Sequence, residues 1–163
     1  MTHENGNAPD AWRVARYALS CGIGAGLASQ ALLIAAAKAE GQPVARPINA
    51  TSHWLWGEEA GRFREADLRH TGVGLATNQA AAMFWGTLFG LHLGTRPRHS
   101  SSEILRDAAV MGGIAPTLDY GLIPKRLTPG WELALSKKSV ALGMASMALG
   151  LALGGIAARN TGG

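Results

Sequence analysis

Asp119 is the residue of this sequence whose type and position point most directly to chemistry. It is the only charged residue in the apolar run 108–123, and Pro116 lies one turn before it. A carboxylate inside an apolar helix is costly and usually faces other helices, an ion or a proton pathway. Pro116 frees a backbone carbonyl beside the acid. The alternative is a structural ion pair between Asp119 and Lys125 or Arg126, which follow the run.

Polar residues of two other apolar runs are predicted to lie at a similar depth. Gln30 is seven residues before the end of the run 14–37, and Asn78 is seven residues after the start of the run 71–94. At 1.5 Å per residue, both lie about 10 Å from the membrane face on which loops 38–70 and 124–138 lie, and Asp119 lies about 6 Å from that face. We therefore expect one polar cavity. The candidate cavity residues are Asp119, Gln30, Asn78, Gln79 and Thr77, with His53 and His70 at the cavity mouth.

Four hydrophobic segments carry these residues, and each approaches the roughly 20 residues needed to cross a hydrocarbon core of about 30 Å. Only 16% of the 163 residues are charged, against about 25% in soluble domains. We therefore predict an all-α integral membrane four-helix bundle that forms a single domain over residues 14–158. The predicted spans are residues 14–37, 71–94, 104–123 and 139–158.

The segments between the spans are predicted to lie at the membrane surface. The long interfacial loop 38–70 contains an aromatic cluster, His53–Trp56, and residues 58–70, whose alternating charges favour a solvated helix. Ser102 is the predicted N-cap of the third span. Thr128 and Pro129 are predicted to begin the last helix. Polar tails at residues 1–13 and 159–163 complete the chain.

The distribution of basic residues gives a predicted orientation. Loops 38–70 and 124–138 share one side with nine Lys and Arg residues, and the other side carries six. The side richer in Lys and Arg is usually cytoplasmic. We therefore expect both loops in the cytoplasm of a multi-pass protein of the inner membrane, whose first partner is the lipid bilayer.

Small residues recur every four positions in all four segments, a spacing that lets the backbones of membrane helices approach closely. Each set is expected to pack within the bundle, including the stripe of Ala109, Gly113, Thr117 and Gly121 in the third segment. The alternative is that the stripe of Gly150 and Gly154 faces a second copy or a partner subunit. The candidate packing glycines are Gly22, Gly26, Gly86, Gly90, Gly94, Gly150 and Gly154.

Several functional classes are not favoured by the composition. The single cysteine, Cys21, excludes an internal disulfide and a cysteine-based zinc site. The five histidines have no metal-ligand spacing, and only His92 lies within a span, so a haem pair is not expected. Basic residues lie at the ends of apolar runs, which does not favour nucleic-acid binding. Since no catalytic constellation is present, we predict no enzymatic activity, cofactor or metal.

Three sequence blocks resemble those of a group of small four-helix bacterial inner-membrane proteins. The blocks are Pro47–Gly57, Asp67–Thr71 and Asp119–Gly130. The resemblance implies a bacterial origin and a membrane location, and it strengthens Asp119 and His53 as candidates. Members of that group often carry a pair of histidines where this chain has Asn78 and Gln79, and this departure argues against a metal or haem.

Two functional hypotheses follow from these patterns. The first is a small membrane protein that binds or moves an ion, proton or small solute through the cavity at Asp119. The second is a structural or assembly subunit of a membrane complex, whose glycines and loop 38–70 hold a partner.

Overall fold

The computed structural model describes residues 10–96 and 99–161, and all regular structure in these ranges is helical. The predicted all-α class is therefore confirmed. Most of the N-terminal tail and the last two residues lie outside the described ranges. The α-helices are α1 (Ala11–Ala39), α2 (Ala45–Thr51), α3 (His53–Trp56), α4 (Val73–Gly94), α5 (Ser101–Gly121) and α6 (Lys137–Asn160).

Helices α1, α4, α5 and α6 overlap the four hydrophobic segments, but they differ in apolar character. Two of them, α1 and α6, are long and apolar enough to cross a membrane by length and composition. Polar residues interrupt the apolar sequence of the other two, although α4 contains no Asp, Glu, Lys or Arg. The residues concerned are Asn78, Gln79 and His92 in α4, and Glu103, Arg106, Asp107 and Asp119 in α5.

Helix α1 lies at the centre and packs along its length against both α4 and α6. On the α4 side, a side chain at Gly86 would collide with the backbone of Gly22. On the α6 side, Gly150 lies against the backbone of Gly24, and Gly154 against that of Ser20. Since α1 covers this glycine pair, it is not available to a second subunit, contrary to the alternative drawn from the sequence.

The three remaining candidate glycines also lie at contacts between α1 and α4. A side chain added at Gly90 would collide with the backbone of Ala18, and one added at Gly94 would collide with Val14. Gly26 faces the side chain of Gln79. A side chain at Gly90 or Gly94 would therefore force the two helices apart, whereas one at Gly26 would displace only the end of the Gln79 side chain.

Helix α5 is peripheral, because it packs mainly on α6 and makes few contacts with α4. Its stripe of small residues does not pack within the chain, contrary to expectation. Gly113 and Gly121 have no atom within 4 Å of the position that a side chain would take, and Ala109 is exposed. The sparse contact between α4 and α5 leaves an opening between these two helices.

The two loops that follow α1 and α5 pack on each other and cover one end of the helices. The Trp54 indole donates to the Thr128 carbonyl over 2.7 Å, and Arg46 Nη2 contacts the Leu133 carbonyl at 3.5 Å. Within the first loop, the buried Asn49 amide donates to the carbonyls of Phe63 and Glu65 at 3.1 and 2.9 Å. The loops therefore form an ordered cap.

The first loop departs from the solvated helix predicted over residues 58–70. It contains a 3₁₀ turn at Glu58–Arg62, and a π turn at Leu68–Gly72 leads directly into α4. The segment between these turns passes over Asn49, which binds its carbonyls. Hydrogen bonding to Asn49 therefore replaces the continuous helix that the charge pattern suggested.

Two predicted helix starts are also corrected by the structure. Ser100 caps α5. Its Oγ accepts a hydrogen bond from the Glu103 amide, and the Ser100 amide donates to the Glu103 carboxylate. Ser102 is therefore already inside the helix. The last helix begins at Lys137 with Ser136 as its cap. Thr128 instead donates to Glu132 in a turn whose Gly130 has φ +80°.

Glu40 joins the end of α1 to the start of α6. It accepts hydrogen bonds from the Ser136 hydroxyl at 2.6 Å and from the Ser136 amide at 3.1 Å, and a further bond comes from the Ser139 hydroxyl. The bonds from the Ser136 and Ser139 side chains lower the pKa of Glu40. Because the folded-state pKa is lowered, this stabilisation is present above the unfolded value of about 4.3 and is lost as the pH falls through the folded value.

Folding stability should fall as the pH is lowered, and Glu40→Gln is expected to make this fall smaller than in the wild type. The measurement is thermal unfolding in detergent, followed by circular dichroism between about pH 3 and pH 7. Glu59 is exposed, so Glu59→Gln is the matched control and should lose stability at acidic pH as the wild type does. The same loss of stability in Glu40→Gln as in the wild type would contradict this role.

Candidate ligand site at Asp119

A small cavity lies beneath the cap of loops, where α1, α4, α5 and α6 meet. Its polar lining comes from Ser29 of α1, Asn78 and Thr77 of α4, Asp119 of α5 and Thr51 of α2. Its volume is about 30 Å³. A single water needs about 10–15 Å³ measured in this way. The cavity therefore has room for about two waters or one small ion.

Asp119 is the only charged residue that lines this cavity, and its side chain is buried, with 8% of the residue exposed. Across residues 10–96 and 99–161, no side chain forms an ion pair or hydrogen bond with its carboxylate. Lys125 and Arg126 are exposed, and Arg126 Nε approaches the Trp54 carbonyl instead, at 3.4 Å. The alternative of a structural ion pair is therefore wrong.

Asn78 and Ser29 form a short hydrogen-bonded chain beside Asp119. The Ser29 hydroxyl donates to the Gly26 carbonyl at 3.0 Å, so it can only accept from the Asn78 amide nitrogen, which lies 3.2 Å away. This chain fixes the orientation of the Asn78 amide. Its oxygen therefore remains as a second possible acceptor on a residue that lines the same cavity as Asp119.

Trp131 also lines this cavity, and its indole nitrogen is an unsatisfied donor. The residue is 2% exposed, and the nitrogen is buried with no hydrogen-bond partner among the described residues. The benzene edge of its ring rests on Gly143 of α6, so the nitrogen edge is directed away from that helix. A buried N–H without a partner costs free energy of about 1–3 kcal/mol. A water that reaches this nitrogen would remove the cost.

Two glutamines predicted for the cavity lie outside it. Gln79 Nε2 donates to the Gly22 carbonyl at 3.2 Å and holds α4 to α1. Gln30 does not line the cavity, and its buried Oε1 has no partner among the described residues. Ser29 takes the place predicted for Gln30.

The two histidines predicted at the cavity mouth serve the cap instead. His53 is buried, and its ring nitrogens lie 3.0 Å from the Ala50 carbonyl and 3.3 Å from the Lys125 carbonyl. His70 Nδ1 lies 2.7 Å from Asp67, whose pKa is lowered by this hydrogen bond. Phe63 stacks on the His70 ring with 3.7 Å between centroids. Neither histidine lines the cavity.

A larger cleft adjoins the cavity in the opening between α4 and α5. It has a volume of about 440 Å³. Asp119 lines both spaces, together with Trp54, Trp85, Ala81 and Pro129. The rest of its lining is apolar, so Asp119 lies where a small polar space joins a larger apolar one.

A second polar cluster, which the sequence patterns did not predict, lies near the other end of α4 and α5. His92 Nε2 is 2.8 Å from Asp107, Arg106 is 2.8 Å from the same carboxylate, and Arg96 is 3.7 Å from it. Every charge here has a partner, unlike Asp119. The cluster therefore ties the ends of α4 and α5 together.

The donor set at Asp119 fits a proton, water or small monovalent cation. No group of three or more His, Cys, Asp or Glu side chains that could hold a metal ion occurs in the described part of the chain. Carboxylate and amide oxygens are ligands that hard cations accept. The arrangement can therefore take up a proton or water, or contact a small cation.

Comparison with known proteins adds no further assignment. No protein-family model, curated protein or solved structure matches this chain. The resemblance to small bacterial inner-membrane proteins therefore stays a prediction.

Proposed function

We propose that this chain is a four-span integral membrane protein that binds a proton or a small monovalent cation at Asp119 and moves it across the bilayer. The observation that carries the proposal is the unpaired Asp119 carboxylate in a cavity between helices. An acid without a partner in such a place is a binding candidate, because its burial has no structural compensation. A pathway for a cation would pass this carboxylate.

The outer surfaces of the four long helices support membrane insertion. Large apolar side chains project from all of them, including α4 and α5. Contiguous apolar surface of this kind is unusual on a soluble monomer. Examples are Leu19, Ile23 and Leu27 on α1, Phe84, Leu88 and Leu91 on α4, Leu105, Val110 and Ile114 on α5, and Leu142, Leu149 and Leu153 on α6.

Helix lengths and end residues also agree with four crossings. The shortest of the four, α5, has 21 residues, or about 32 Å at 1.5 Å per residue, which matches a core of about 30 Å. Trp54 and Trp56 at one end and Trp12 at the other suit the two interfaces. The excess of basic residues near loops 38–70 and 124–138 favours a cytoplasmic position for both loops in a bacterial inner membrane.

Cysteine labelling tests the four crossings and the orientation together. In a Cys21→Ser background, Glu59→Cys and Lys125→Cys place thiols in the two loops of the cap, and Ser102→Cys and Asn160→Cys place thiols at the opposite end of the helices. A membrane-impermeant maleimide added to intact spheroplasts is expected to label positions 102 and 160 but to label positions 59 and 125 only after lysis. Labelling of position 102 only after lysis, together with positions 59 and 125, would leave α1 and α6 as the only crossings and contradict four, and the reverse pattern at all four positions would overturn the orientation.

Flux into reconstituted liposomes tests the proposed activity. Proteoliposomes with a trapped pH-sensitive or sodium-sensitive dye receive an outside pulse of acid or sodium. We expect faster entry of one of these ions than into protein-free liposomes of the same lipid. If both ions enter no faster than they enter protein-free liposomes, the proposal is contradicted.

A further inference from the structure

The cleft between α4 and α5 has the size and lining of a site for an organic molecule. Ligand sites are typically apolar spaces of about 300–1,000 Å³ with a few polar groups, and this cleft measures about 440 Å³. Its walls carry the aromatic rings of Phe84, Trp85 and Trp54, and its only charged group is Asp119. An apolar molecule with one charged or polar end would match this distribution.

We propose that the cleft binds a lipophilic organic cation, whose charged end lies at Asp119 and whose hydrocarbon body lies against the aromatic side chains. This inference rests on the proposed function, since it names the class of solute that shares the Asp119 site. The carboxylate is complementary to a cation and opposes an anion. Faces of Trp and Phe rings attract organic cations as well, which adds to the same preference.

The two adjoining spaces fix how such a solute would lie. The inner cavity of about 30 Å³ admits waters or one small ion and excludes a hydrocarbon group. The bulky part must therefore remain in the outer cleft. Asp119 lines both spaces, so its carboxylate can meet the charged end directly while water in the inner cavity solvates it.

The route into the cleft is lateral. Phe84 of α4 is 57% exposed and Leu127 of the second loop is 47% exposed at its rim. In a bilayer the side of α4 that carries Phe84 faces lipid, where a lipophilic cation is concentrated. Loops 38–70 and 124–138 cover the end of the helices and supply Trp54 and Pro129 to the cleft wall, so entry past Phe84 is the open approach.

Equilibrium dialysis of the detergent-solubilised full-length protein tests the proposal with two ions of similar shape. In 4-phenylbutylammonium an aromatic hydrocarbon chain ends in a positive charge, and in 4-phenylbutyrate a chain of similar length ends in a negative charge. We expect saturable binding of 4-phenylbutylammonium at one site per chain and none of 4-phenylbutyrate. Asp119→Asn should weaken the cation's affinity by at least about tenfold, because one charge interaction is lost in a partly buried site.

A matched pair of α4 variants tests the location of the site. Ala80 lines the cleft and is exposed, so Ala80→Leu fills the cleft without disturbing the core. Ala76 is exposed one turn earlier and does not line the cleft, so Ala76→Leu is the control. Weaker 4-phenylbutylammonium binding in Ala80→Leu alone supports the proposal, and equal binding in both variants overturns it.

Other outcomes separate this inference from the proposed function. Equal binding of the two phenylbutyl ions, or no binding of the cation, overturns the cleft proposal even if proteoliposomes conduct protons or sodium through Asp119. Charge-selective, Asp119-dependent binding supports it even if those liposomes show no flux, which would contradict only the proposed transport of small ions.

Discussion

Asp119→Asn is expected to abolish cation flux in proteoliposomes while the protein folds and inserts as before. Asparagine keeps the size of the side chain but removes the only charge in the cavity and cannot hold a proton. Because the carboxylate has no ion-pair partner among the described residues, removing its charge takes away a desolvation cost and no attraction. The free energy of unfolding should therefore stay within about 1 kcal/mol of wild type or rise.

The comparison of flux with unfolding separates the binding role of Asp119 from a structural one. Breaking a buried ion pair costs about 3–5 kcal/mol, so a strongly destabilised Asp119→Asn protein would indicate a structural acid. Wild-type flux in a well-folded Asp119→Asn protein would remove Asp119 from the pathway. Glu59→Gln, which neutralises an exposed acid of the first loop, is the matched control and should conduct like wild type.

The approximate positions of the long helices were predictable from the sequence, whereas the residues at which the helices begin were not. Long apolar segments indicate helices, since only helices and closed barrels satisfy the backbone in lipid. Where a helix begins depends on which side chain bonds its free amides. Ser100 rather than Ser102 caps α5, because Glu103 lies at the position that completes a reciprocal pair of bonds. Thr128 resembles a cap in sequence, but its hydroxyl donates to Glu132 instead.

The polar core of the site was predicted in part, and helix geometry explains the error in α1. A stripe drawn every four residues from Ala18 reaches Gln30 after twelve residues, but each residue turns the helix by about 100°. Gln30 is therefore about 120° from the starting face, whereas Ser29 is only about 20° from it. The contact of Ser29 with Asn78 follows from this rotation.

Other parts of the site depended on contacts distant in sequence. Trp131 comes ten residues after the end of α5 and reaches the cavity only because the second loop folds back beneath the first. His53 and His70 were predicted at the mouth because both lie in loop 38–70, at the end of the helices where the cavity was expected to open. Their nitrogens are used by the Ala50 carbonyl and by Asp67, within a cap that no local pattern predicts.

Gly150→Ala is expected to destabilise the protein strongly, although it adds only a single methyl group. That group would lie 2.6 Å from the Gly24 carbonyl carbon and 2.7 Å from the Ala25 Cα, and all of its nearest neighbours are backbone atoms. Backbone cannot give way as a side chain does, so α6 must move away from α1. Overpacking typically costs about 1–3 kcal/mol, and we expect about 3 kcal/mol or more at this position.

Gly113→Ala in α5 makes the same chemical change where no atom lies within 4 Å of the added methyl group. Alanine favours helix over glycine by up to about 1 kcal/mol, so this variant should be neutral or more stable than wild type. Unfolding of both variants in a series of denaturing detergent mixtures gives the comparison. Similar stability of the two would show that α1 and α6 are not held at the separation seen between Gly24 and Gly150. Destabilisation by Gly113→Ala instead would indicate that the outer face of α5 is covered by another helix in the membrane.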